Sequence, residues 1–386
     1  MAQDTWTIKR CLDWTRDYLR DKGDERPRVS AEWLLSHVTG LSRTMLYVSF
    51  DKPMSSEELS AMHAAVVRRA KGEPLQYITG ETSFRGITVA CEPGVLIPRP
   101  ETELLVEEVL GYLDREVLGA QAALPRTRVE LPWNDEVEQA RKAELAAIRA
   151  KEERADAPDQ GDEHASDEPN LPDAPAAASE DDAIEGEAVV PEGSSAVLDE
   201  ASDGAAPMGD SRLARVLEVG CGTGCISLSL ASEREGRVEC VAIDIEQRAV
   251  DLTMRNRDSL GLAVHTVDVR RGNLVSPLNR ETEWGTFDVL VSNPPYIPTG
   301  VMETLPHEVV DYEPALALDG GVDGLDIFRR LVNAAPHMLR PGGLLACELY
   351  EGHLDAAAGL CREAGMQDIS VVEDFTGRPR IVLARV

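Results

Sequence analysis

Apolar residues recur with helical spacing along the first 70 residues of the chain. The positions that show this spacing are Ile8, Leu12, Leu19, Leu34, Val38, Leu59, Met62 and Val66. The turn-forming residues that interrupt it are Gly23, Pro27, Gly40 and Pro53. A period near 3.6 residues that is broken in this way is typical of short amphipathic helices joined by turns. The pattern therefore predicts a small helical bundle over residues 1–75.

A different pattern follows over residues 76–100. The stretch SFRGITVACEPGVLIPRP alternates β-forming and polar residues, and Pro93 and Gly94 supply a turn signal. This combination indicates a β-hairpin with its turn at these two residues. We expect the hairpin to link the bundle to an amphipathic helix over Glu101 to about Leu113, which Pro100 opens.

Strands and helices alternate from Arg215 to the end of the chain. The predicted strands are RVLEV, VECVAID, AVHTVDV, FDVLVSN, GLLACEL, DISVVED and RIVLARV. Continuous apolar strands separated by helices are typical of a parallel sheet covered on both faces. The last two strands are joined only by FTGRP, so we expect them to pair antiparallel. The pattern predicts a doubly wound, Rossmann-like α/β domain over residues 101–386.

One segment interrupts this domain at about residues 114–212. Residues 135–154 favour helix but have only a thin apolar stripe. From Asp156 to Asp210 there are 17 acidic residues, no Lys or Arg and no aromatic residue. Such a composition buries too little apolar surface to offset the entropy lost on ordering. We predict an acidic, largely disordered insertion.

The net charge limits the classes of partner. It is −30, with 39 basic and 69 acidic residues, and the chain outside residues 156–210 still carries −13. A broad basic surface for nucleic acid is therefore not expected. No apolar run is long enough to span a bilayer, and the first residues lack the apolar core of a signal peptide. We expect a cytoplasmic protein without a membrane partner.

The seven cysteines are scattered, most of them in apolar runs, and none forms a CxxC pair. This distribution favours reduced, structural thiols. Cys221 and Cys225 are four residues apart, but no His or further Cys nearby completes a zinc set. We expect no metal site.

A glycine-rich turn follows the first strand of the α/β domain. VLEVGCGTG places Gly220, Gly222 and Gly224 between that strand and the next helix. Ligands of such sheets bind at the carboxyl ends of the strands, where glycine lets backbone approach the ligand. The spacing G-x-G-x-G differs from the dinucleotide fingerprint G-x-G-x-x-G. The turn indicates a nucleotide-like ligand, although packing alone also selects such glycines.

Two further strand ends offer contacts to the same ligand. Asp244 ends VECVAID, where a carboxylate accepts hydrogen bonds from both hydroxyls of a ribose. The alternative role is a cap for the helix that starts near Glu246, and the two roles are compatible. After the next strand, Asn273 and Leu274 are placed to flank an adenine, with Asp268 as a competing candidate.

The fourth strand ends in Asn293, Pro294, Pro295 and Tyr296. Two consecutive prolines cannot continue a strand, so a rigid turn begins there. The Asn293 amide oxygen and fixed backbone carbonyls can accept the hydrogens of a planar nitrogen, and Tyr296 offers a flat face. This arrangement favours methylation of an exocyclic amine or a carboxamide, with S-adenosyl-L-methionine as methyl donor. Asn293, Pro294 and Tyr296 are the predicted catalytic residues.

Several longer segments resemble the HemK/PrmC-type glutamine methyltransferases. They are GEPLQYITG at 72–80, PGVLIPRPETELLVEEVL at 93–110, VLEVGCGTGCISLSLA, SNPPYIP, YEPALALDGGVDGLD at 312–326, and DFTGRPR at 374–380. That family modifies the glutamine of the GGQ motif in peptide chain release factors. The resemblance implies a class I methyltransferase fold, S-adenosyl-L-methionine as cofactor, release factors as protein partners and the N-terminal bundle as the docking module.

The resemblance also assigns roles to individual residues. The loop Gly220, Cys221, Gly222, Thr223 and Gly224 would bind the cofactor together with Asp244, Asn273, Leu274 and Asn293. The substrate glutamine would contact Asn293, Pro294, Pro295 and Tyr296, and the site would be lined by Arg99, Glu101 and Glu103. A plain helix start is the alternative for the last three.

The sequence departs from the family at two of these places. Asn273 stands where the family commonly has Asp. Glu348 is followed by Leu349 and Tyr350 rather than by the usual Glu-x-Gly ending, so the resemblance assigns Glu348 no role.

Two other functions fit parts of the sequence. Asn-Pro-Pro-Tyr also occurs in nucleic-acid adenine-N6 methyltransferases, which usually present a basic face that this chain lacks. A catalytically silent protein whose acidic segment binds basic partners is the second alternative. The GGQ-directed methyltransferase remains the leading hypothesis.

Overall fold

The computed structural model describes residues 5–119 and 212–386. The predicted helix over residues 135–154 and the acidic stretch 156–210 lie outside these ranges. All statements below concern the described residues.

The N-terminal helices form a bundle around one apolar core. The helices are α1 Ile8–Asp21, α2 Pro27–Thr39, α3 Arg43–Val48, α4 Ser56–Arg69 and α5 Leu75–Thr79. Ser55 starts α4 with a capping box, in which its side chain accepts from the Glu58 N–H while the Glu58 carboxylate accepts from the Ser55 N–H. Leu19, Leu34 and Leu46 are fully buried in the shared core, in agreement with the helical spacing of the sequence.

A β-hairpin follows the bundle, but its turn is not where the sequence predicted it. Strands β1 Glu81–Phe84 and β2 Ile87–Ala90 pair antiparallel and turn at Arg85 and Gly86. Arg85 adopts a left-handed φ of 50°, and its side chain is held by ion pairs to Glu107 and Glu233. Pro93 and Gly94 do form a turn, in which the Val95 N–H donates to the Glu92 carbonyl at 3.3 Å. It lies beyond the second strand, so its prediction as the turn of the hairpin was wrong.

Helix α6, Thr102–Tyr112, continues into a π-helical turn at Leu113–Val117. The predicted insertion had been placed from about residue 114, yet ion pairs hold this turn to the domain. Asp114 pairs with Arg234 at 2.5 Å and Glu116 pairs with Arg385 at 2.8 Å. The ordered helix therefore extends four residues past its predicted end.

A seven-stranded sheet forms the centre of the second part of the chain. Its order is β5-β4-β3-β6-β7-β9-β8. The strands are β3 Ala214–Val219, β4 Val238–Asp244, β5 Val267–Arg271, β6 Phe287–Ser292, β7 Leu339–Glu348, β8 Gln367–Glu373 and β9 Pro379–Arg385. The first five in this order run parallel, and β9 is antiparallel to both β7 and β8. The predicted antiparallel pairing of the last two strands is confirmed.

Helices cover both faces of this sheet. They are α7 Cys225–Glu233, α8 Gln247–Ser259, α9 His307–Val310, α10 Ala315–Leu318, α11 Asp326–Met338 and α12 Leu354–Glu363, with short 3-10 turns at Thr299–Thr304 and Glu351–His353. One apolar core combines α6 and α7 with one face, and a second combines α11 and α12 with the other. The predicted doubly wound α/β fold is confirmed.

The third strand of the domain, β5, starts later than predicted. The sequence placed it from Ala263, but Ala263 accepts hydrogen bonds from the N–H groups of Thr266 and Val267. These bonds close a turn, so the strand begins at Val267. Within the described ranges, no helix combines the length and the apolar character that crossing a membrane requires.

Candidate active site

The loop between β3 and α7 brings backbone to the carboxyl end of the sheet. Gly220, Gly222 and Gly224 all adopt left-handed φ angles, of 75°, 56° and 81°. A Cβ at Gly224 would lie 2.6 Å from Thr253 Cγ2 on α8, so only glycine fits there. The N–H groups of Gly220 and Cys221 donate to the Ile243 carbonyl at 2.8 and 3.1 Å. The loop is therefore held against β4.

The two side chains of this loop point into the protein. Cys221 Sγ lies 3.4 Å from Thr253 Oγ1, and burial raises the pKa of the Cys221 thiol well above its usual value. Thr223 is buried and its carbonyl accepts from Asn256 Nδ2 at 2.9 Å. The first four loop residues line a common cavity, and Gly224 leads directly into α7.

Asp244 connects this loop to the next helix. Its Oδ2 accepts from the Gly222 N–H at 2.9 Å and its Oδ1 accepts from the Glu246 N–H at 3.0 Å. Burial is the largest influence and raises the pKa of the carboxyl, while the two N–H donors oppose it. The carboxylate lies at the end of β4 and lines the cavity. It thus serves the local turn before α8 and still borders the cavity.

The end of β5 closes another side of the cavity. Asn273 and Leu274 both line it, and Asn273 Oδ1 accepts from Arg330 Nη2 at 3.0 Å. Leu274 adopts a left-handed φ of 52° and packs against the second core. The competing candidate Asp268 pairs with Arg270 at 2.6 Å and is not part of the lining.

The Asn-Pro-Pro-Tyr segment starts at the end of β6, beside the glycine loop. Ser292 Oγ donates to the Val219 carbonyl at 2.6 Å, which joins the ends of β6 and β3. Asn293, Pro294 and Pro295 line the cavity. Tyr296 does not: it packs against the second core, and burial raises the pKa of its hydroxyl.

A later loop supports this segment, and the sequence analysis assigned it no specific role. The Ile297 N–H donates to the Leu318 carbonyl at 2.9 Å, and the Gly320 N–H donates to the Ile297 carbonyl at 2.8 Å. A Cβ at Gly320 would lie 2.7 Å from the Pro295 carbonyl oxygen, so glycine permits this close approach. The density of glycines in DGGVDG was the available signal.

The Ile-Pro-Arg-Pro-Glu segment contributes only some of its predicted residues. Arg99 lines the cavity and donates from Nη2 to both carboxylate oxygens of Glu313 at 2.7 Å. Glu101 is exposed at the start of α6 and lies outside the lining. Glu103 is turned away, because its Oε1 accepts from the Arg85 N–H at 3.1 Å. Between the last two, Thr102 lines the cavity.

Two buried glutamates stand next to the cavity, and the sequence assigned a role to neither. Glu218 on β3 accepts from the Ser227 N–H at 3.0 Å, and burial raises the pKa of its carboxyl to about 8. Glu348 at the end of β7 accepts from Thr102 Oγ1 at 2.7 Å. The available signal was an acidic residue at the carboxyl end of an otherwise apolar strand.

The cavity has a volume of about 280 Å³ and is mostly apolar, with a few polar groups at strand ends. Such a lining, with the glycine loop and the Asp244 carboxylate at neighbouring strand ends, fits a nucleoside that carries a short polar tail. Within residues 5–119 and 212–386, no group of His, Cys, Asp or Glu side chains could hold a metal ion. All seven cysteines are buried and free.

Several known proteins are similar to this chain in sequence or in structure. A family model described as PrmC N-terminal domain matches residues 10–80, and one described as Methyltransferase small domain matches residues 193–312. A release factor glutamine methyltransferase of Geobacter sulfurreducens is 34% identical over 99% of this chain and 97% of its own. Another from Chlorobaculum tepidum is 30% identical over 96% of this chain and 94% of its own. In the crystal structure of a methyltransferase from Pyrococcus furiosus, 76% of the chain superposes on 45% of this one, with 21% identity and a TM-score of 0.33.

Proposed function

This chain belongs to the release factor glutamine methyltransferase family, and from that premise we propose that it methylates the side-chain amide nitrogen of the GGQ glutamine in peptide chain release factors. The observation that carries the proposal is 34% identity over nearly the full length of both chains to a relative of that name. The methyl donor is S-adenosyl-L-methionine. The N-terminal bundle is the docking module for the protein substrate. Because release factors act in translation, the reaction takes place in the cytoplasm.

The donor fits the residues around the cavity. The loop Gly220–Gly224 would lie against its methionine part, Asp244 would accept from its ribose, and Leu274 would contact its adenine together with Asn273. When bound, the donor supplies an electrophilic methyl group on a sulfonium sulfur. The sulfur would leave as a neutral thioether, so the chain needs no residue to neutralise a charge on the leaving group.

The residues of Asn-Pro-Pro-Tyr act on the substrate amide. A carboxamide nitrogen is a weak nucleophile because its lone pair is delocalised into the carbonyl. The Asn293 Oδ1 and the Pro294 carbonyl would accept the two N–H bonds of the substrate, which increases electron density on nitrogen and aligns its lone pair with the methyl group. Both acceptors are held at the end of β6, so they need little reorganisation during transfer.

The methyl group is transferred first, and the substrate nitrogen loses a proton afterwards. One C–N bond forms as the methyl group leaves sulfur, and the methylated nitrogen then carries one hydrogen too many. That proton leaves from the nitrogen through the acceptors around Asn293 to solvent, and a neutral N-methyl amide remains. Tyr296, which packs against the core rather than the cavity, holds the segment in place instead of contacting the reacting atoms.

The alternative of a nucleic-acid adenine-N6 methyltransferase is not favoured. Both substrates present a planar NH₂ group, so the segment at Asn293 does not separate them. The net charge of −30 distinguishes the two substrates, because binding to nucleic-acid phosphates is driven by clustered Lys and Arg. A silent binding protein would not need the fixed acceptors at the end of β6.

The decisive experiment is methylation of a purified release factor. The protein is incubated with the factor and S-adenosyl-L-methionine labelled in its methyl group, and the product is digested and analysed by mass spectrometry. We expect one methyl group on the GGQ glutamine and none on a factor in which that glutamine is replaced by alanine. An unmodified glutamine, with cofactor binding shown by calorimetry in the same sample, would overturn the proposal.

A further inference from the structure

We propose that Thr102 and Glu348 are positioning residues that orient the Asn293 side-chain amide, so that its oxygen faces the substrate carboxamide. The inference rests on the function proposed above and extends it to two residues outside the Asn-Pro-Pro-Tyr segment. The three side chains come from three elements: Asn293 follows β6, Thr102 starts α6 and Glu348 ends β7.

While Glu348 is ionised, the hydrogen bonds between these side chains have one possible direction. Thr102 Oγ1 lies 2.7 Å from Glu348 Oε2, and a carboxylate can only accept, so the single hydroxyl proton of Thr102 is directed to Glu348. The same Oγ1 lies 3.1 Å from the Asn293 amide. With its proton already used, Thr102 can only accept from Asn293, which must therefore present Nδ2.

The direction of these two hydrogen bonds determines the orientation of the Asn293 amide. An asparagine side chain can rotate by 180° and exchange its oxygen and nitrogen with little change in shape. Here the rotated form would place Oδ1 against Thr102 Oγ1, where two acceptors would face each other. The orientation with Nδ2 on Thr102 leaves Oδ1 as the end of the amide available to a ligand.

This orientation is the one that the proposed chemistry needs. The substrate NH₂ group has only hydrogens to offer in the amide plane, so it requires acceptors. An Asn293 amide turned the other way would present its own NH₂ group, and the two sets of donors would repel. The substrate nitrogen would then be misplaced relative to the methyl group.

Burial makes the arrangement rigid. Thr102 and Glu348 are each only 2% exposed, so water does not compete for these hydrogen bonds. Glu348 lies in the strand next to β6, where Cys347 is in register with Ser292. The sheet therefore places the glutamate beside Asn293, and α6 supplies the hydroxyl between them.

The charge of Glu348 adds a dependence on pH. Burial raises the pKa of its carboxyl to about 7, against the hydrogen bond from Thr102. Glu101 raises it further, Arg380 and the hydrogen bond from Asn293 lower it, and Tyr296 and Cys225 also interact with Glu348. A protonated Glu348 can itself donate to Thr102 Oγ1, which frees the Thr102 proton to turn towards Asn293. The Asn293 amide is therefore held in one orientation above about pH 7 and can adopt both orientations below it.

The test compares Thr102→Val, Thr102→Ser and Glu348→Gln in the full chain. Thr102→Val keeps the shape but removes the hydroxyl, and we expect kcat to fall roughly 10- to 100-fold, with a smaller change in the Kd for S-adenosylhomocysteine. Thr102→Ser keeps the hydroxyl and should recover most of the rate. Ser229→Ala removes a hydroxyl that is also buried, on α7 and outside the cavity lining, and serves as the control with an unchanged kcat.

The pH profile tests Glu348 separately. We expect wild-type kcat to rise as the pH increases through about 7 and the Glu348→Gln profile to be flat over the same range, because glutamine cannot lose a proton. Wild-type turnover establishes the proposed function in the same assay. If wild type is active and Thr102→Val matches it, or Thr102→Ser is as slow as Thr102→Val, the positioning role is overturned. A Glu348→Gln profile that rises like that of wild type would overturn the role of Glu348.

Discussion

Arg99 and Glu313 form an ion pair in which Arg99 Nη2 lies 2.7 Å from each carboxylate oxygen of Glu313. The Glu313 side chain is 2% exposed and that of Arg99 is 33% exposed. The pair joins the segment before α6 to the loop that follows β6, and Arg99 lines the cavity. Burial raises the pKa of the Glu313 carboxyl, and Arg99 opposes this rise. Without the arginine, the carboxylate would be buried with no compensating charge.

Arg99→Ala should therefore destabilise the protein. Removing one partner of a buried pair leaves the other charge unpaired, and partial exposure of Arg99 to solvent reduces the cost, so we expect a loss of roughly 1–3 kcal/mol at pH 7. Urea denaturation measures the change. Combining Arg99→Ala with Glu313→Gln should restore part of the loss because the unpaired charge is removed. Arg329→Ala, which breaks a more exposed pair with Asp323, should change the free energy of unfolding little, and equal effects of the two arginine substitutions would contradict this account.

The sequence predicted most elements of the fold because they depend on local patterns. Apolar period and strand content identified the bundle, the parallel strands and the antiparallel end of the sheet. The hairpin turn was missed because Arg85 adopts a left-handed φ of 50°, which is uncommon for a residue other than glycine. Pro93–Gly94 carried the stronger turn signal in the sequence. Tertiary ion pairs of Arg85, which no local pattern reveals, hold the observed turn.

The candidate site also contains residues that local sequence patterns predicted and contacts that only the tertiary structure reveals. Asp244, Asn273 and Asn293 were predicted because strand ends in a doubly wound sheet lie along one edge. The link from Thr102 to Glu348 joins residues 246 positions apart and depends on β7 lying next to β6. Its prediction required the strand order and the angle of α6, and a single sequence contains neither. Arg99–Glu313 was missed for the same reason.

Asp244→Asn should weaken cofactor binding without unfolding the domain. The carboxylate accepts from two backbone N–H groups and is proposed to accept from the ribose as well. Asparagine has one acceptor oxygen and no charge, so we expect the Kd for S-adenosylhomocysteine to rise roughly 10- to 100-fold. Calorimetry measures this constant directly. Asp268→Asn alters the competing candidate on the neighbouring strand β5 and should leave the Kd within error, so a larger effect at Asp268 would reverse the assignment.

Asn293→Ala tests the acceptor at the end of β6. Loss of one preorganised hydrogen-bonding group at a reacting centre typically lowers kcat roughly 100- to 1,000-fold. We expect a loss of this size in single-turnover methylation of a release factor. The exposed Asn333 on α11 provides a matched substitution, Asn333→Ala, that should keep the wild-type rate. An Asn293→Ala protein that is folded and equally fast would remove Asn293 from the catalytic residues.

Glu218 should make the protein less stable as the pH rises. Its pKa is raised from 4.5 to about 8 in the folded protein, so folding favours the protonated carboxyl. The stabilisation from this group is complete below about pH 4.5 and is lost as the pH increases through about 8. Between pH 6 and pH 9 we expect the free energy of unfolding to fall by roughly 2 kcal/mol more in wild type than in Glu218→Gln.

Urea denaturation at both pH values, without cofactor, measures this difference. Glu348 acts in the same direction in wild type and in Glu218→Gln, so its contribution cancels in the comparison. The exposed Glu235 offers the control Glu235→Gln, which should follow the wild-type slope. Parallel slopes for wild type and Glu218→Gln would show that Glu218 is ionised in the folded state at pH 6.

Residues 120–211 should be removable without loss of activity, because Leu118 and Ala214, which flank this segment, both bond to Arg237. Arg237 Nη2 donates to the Leu118 carbonyl at 2.9 Å, and the Ala214 N–H donates to the Arg237 carbonyl at 2.9 Å. Both contacts lie at the start of β3 and β4, at the opposite ends of these strands from Asp244 and the glycine loop. A flexible linker of about eight residues can span such a gap, and shortening a loop lowers the entropy lost on closing it.

We therefore expect a chain with residues 120–211 replaced by a Gly-Ser linker to keep the wild-type Kd for S-adenosylhomocysteine and the wild-type rate of release factor methylation. The replacement keeps Asp114, which pairs with Arg234, and Arg212, which pairs with Asp288. Adding Asp114→Ala to the shortened chain should lower its melting temperature, because that substitution leaves Arg234 without its carboxylate partner. Normal cofactor affinity with lost methylation would instead assign the removed residues to binding of the protein substrate, and loss of both would show that the cofactor domain depends on them.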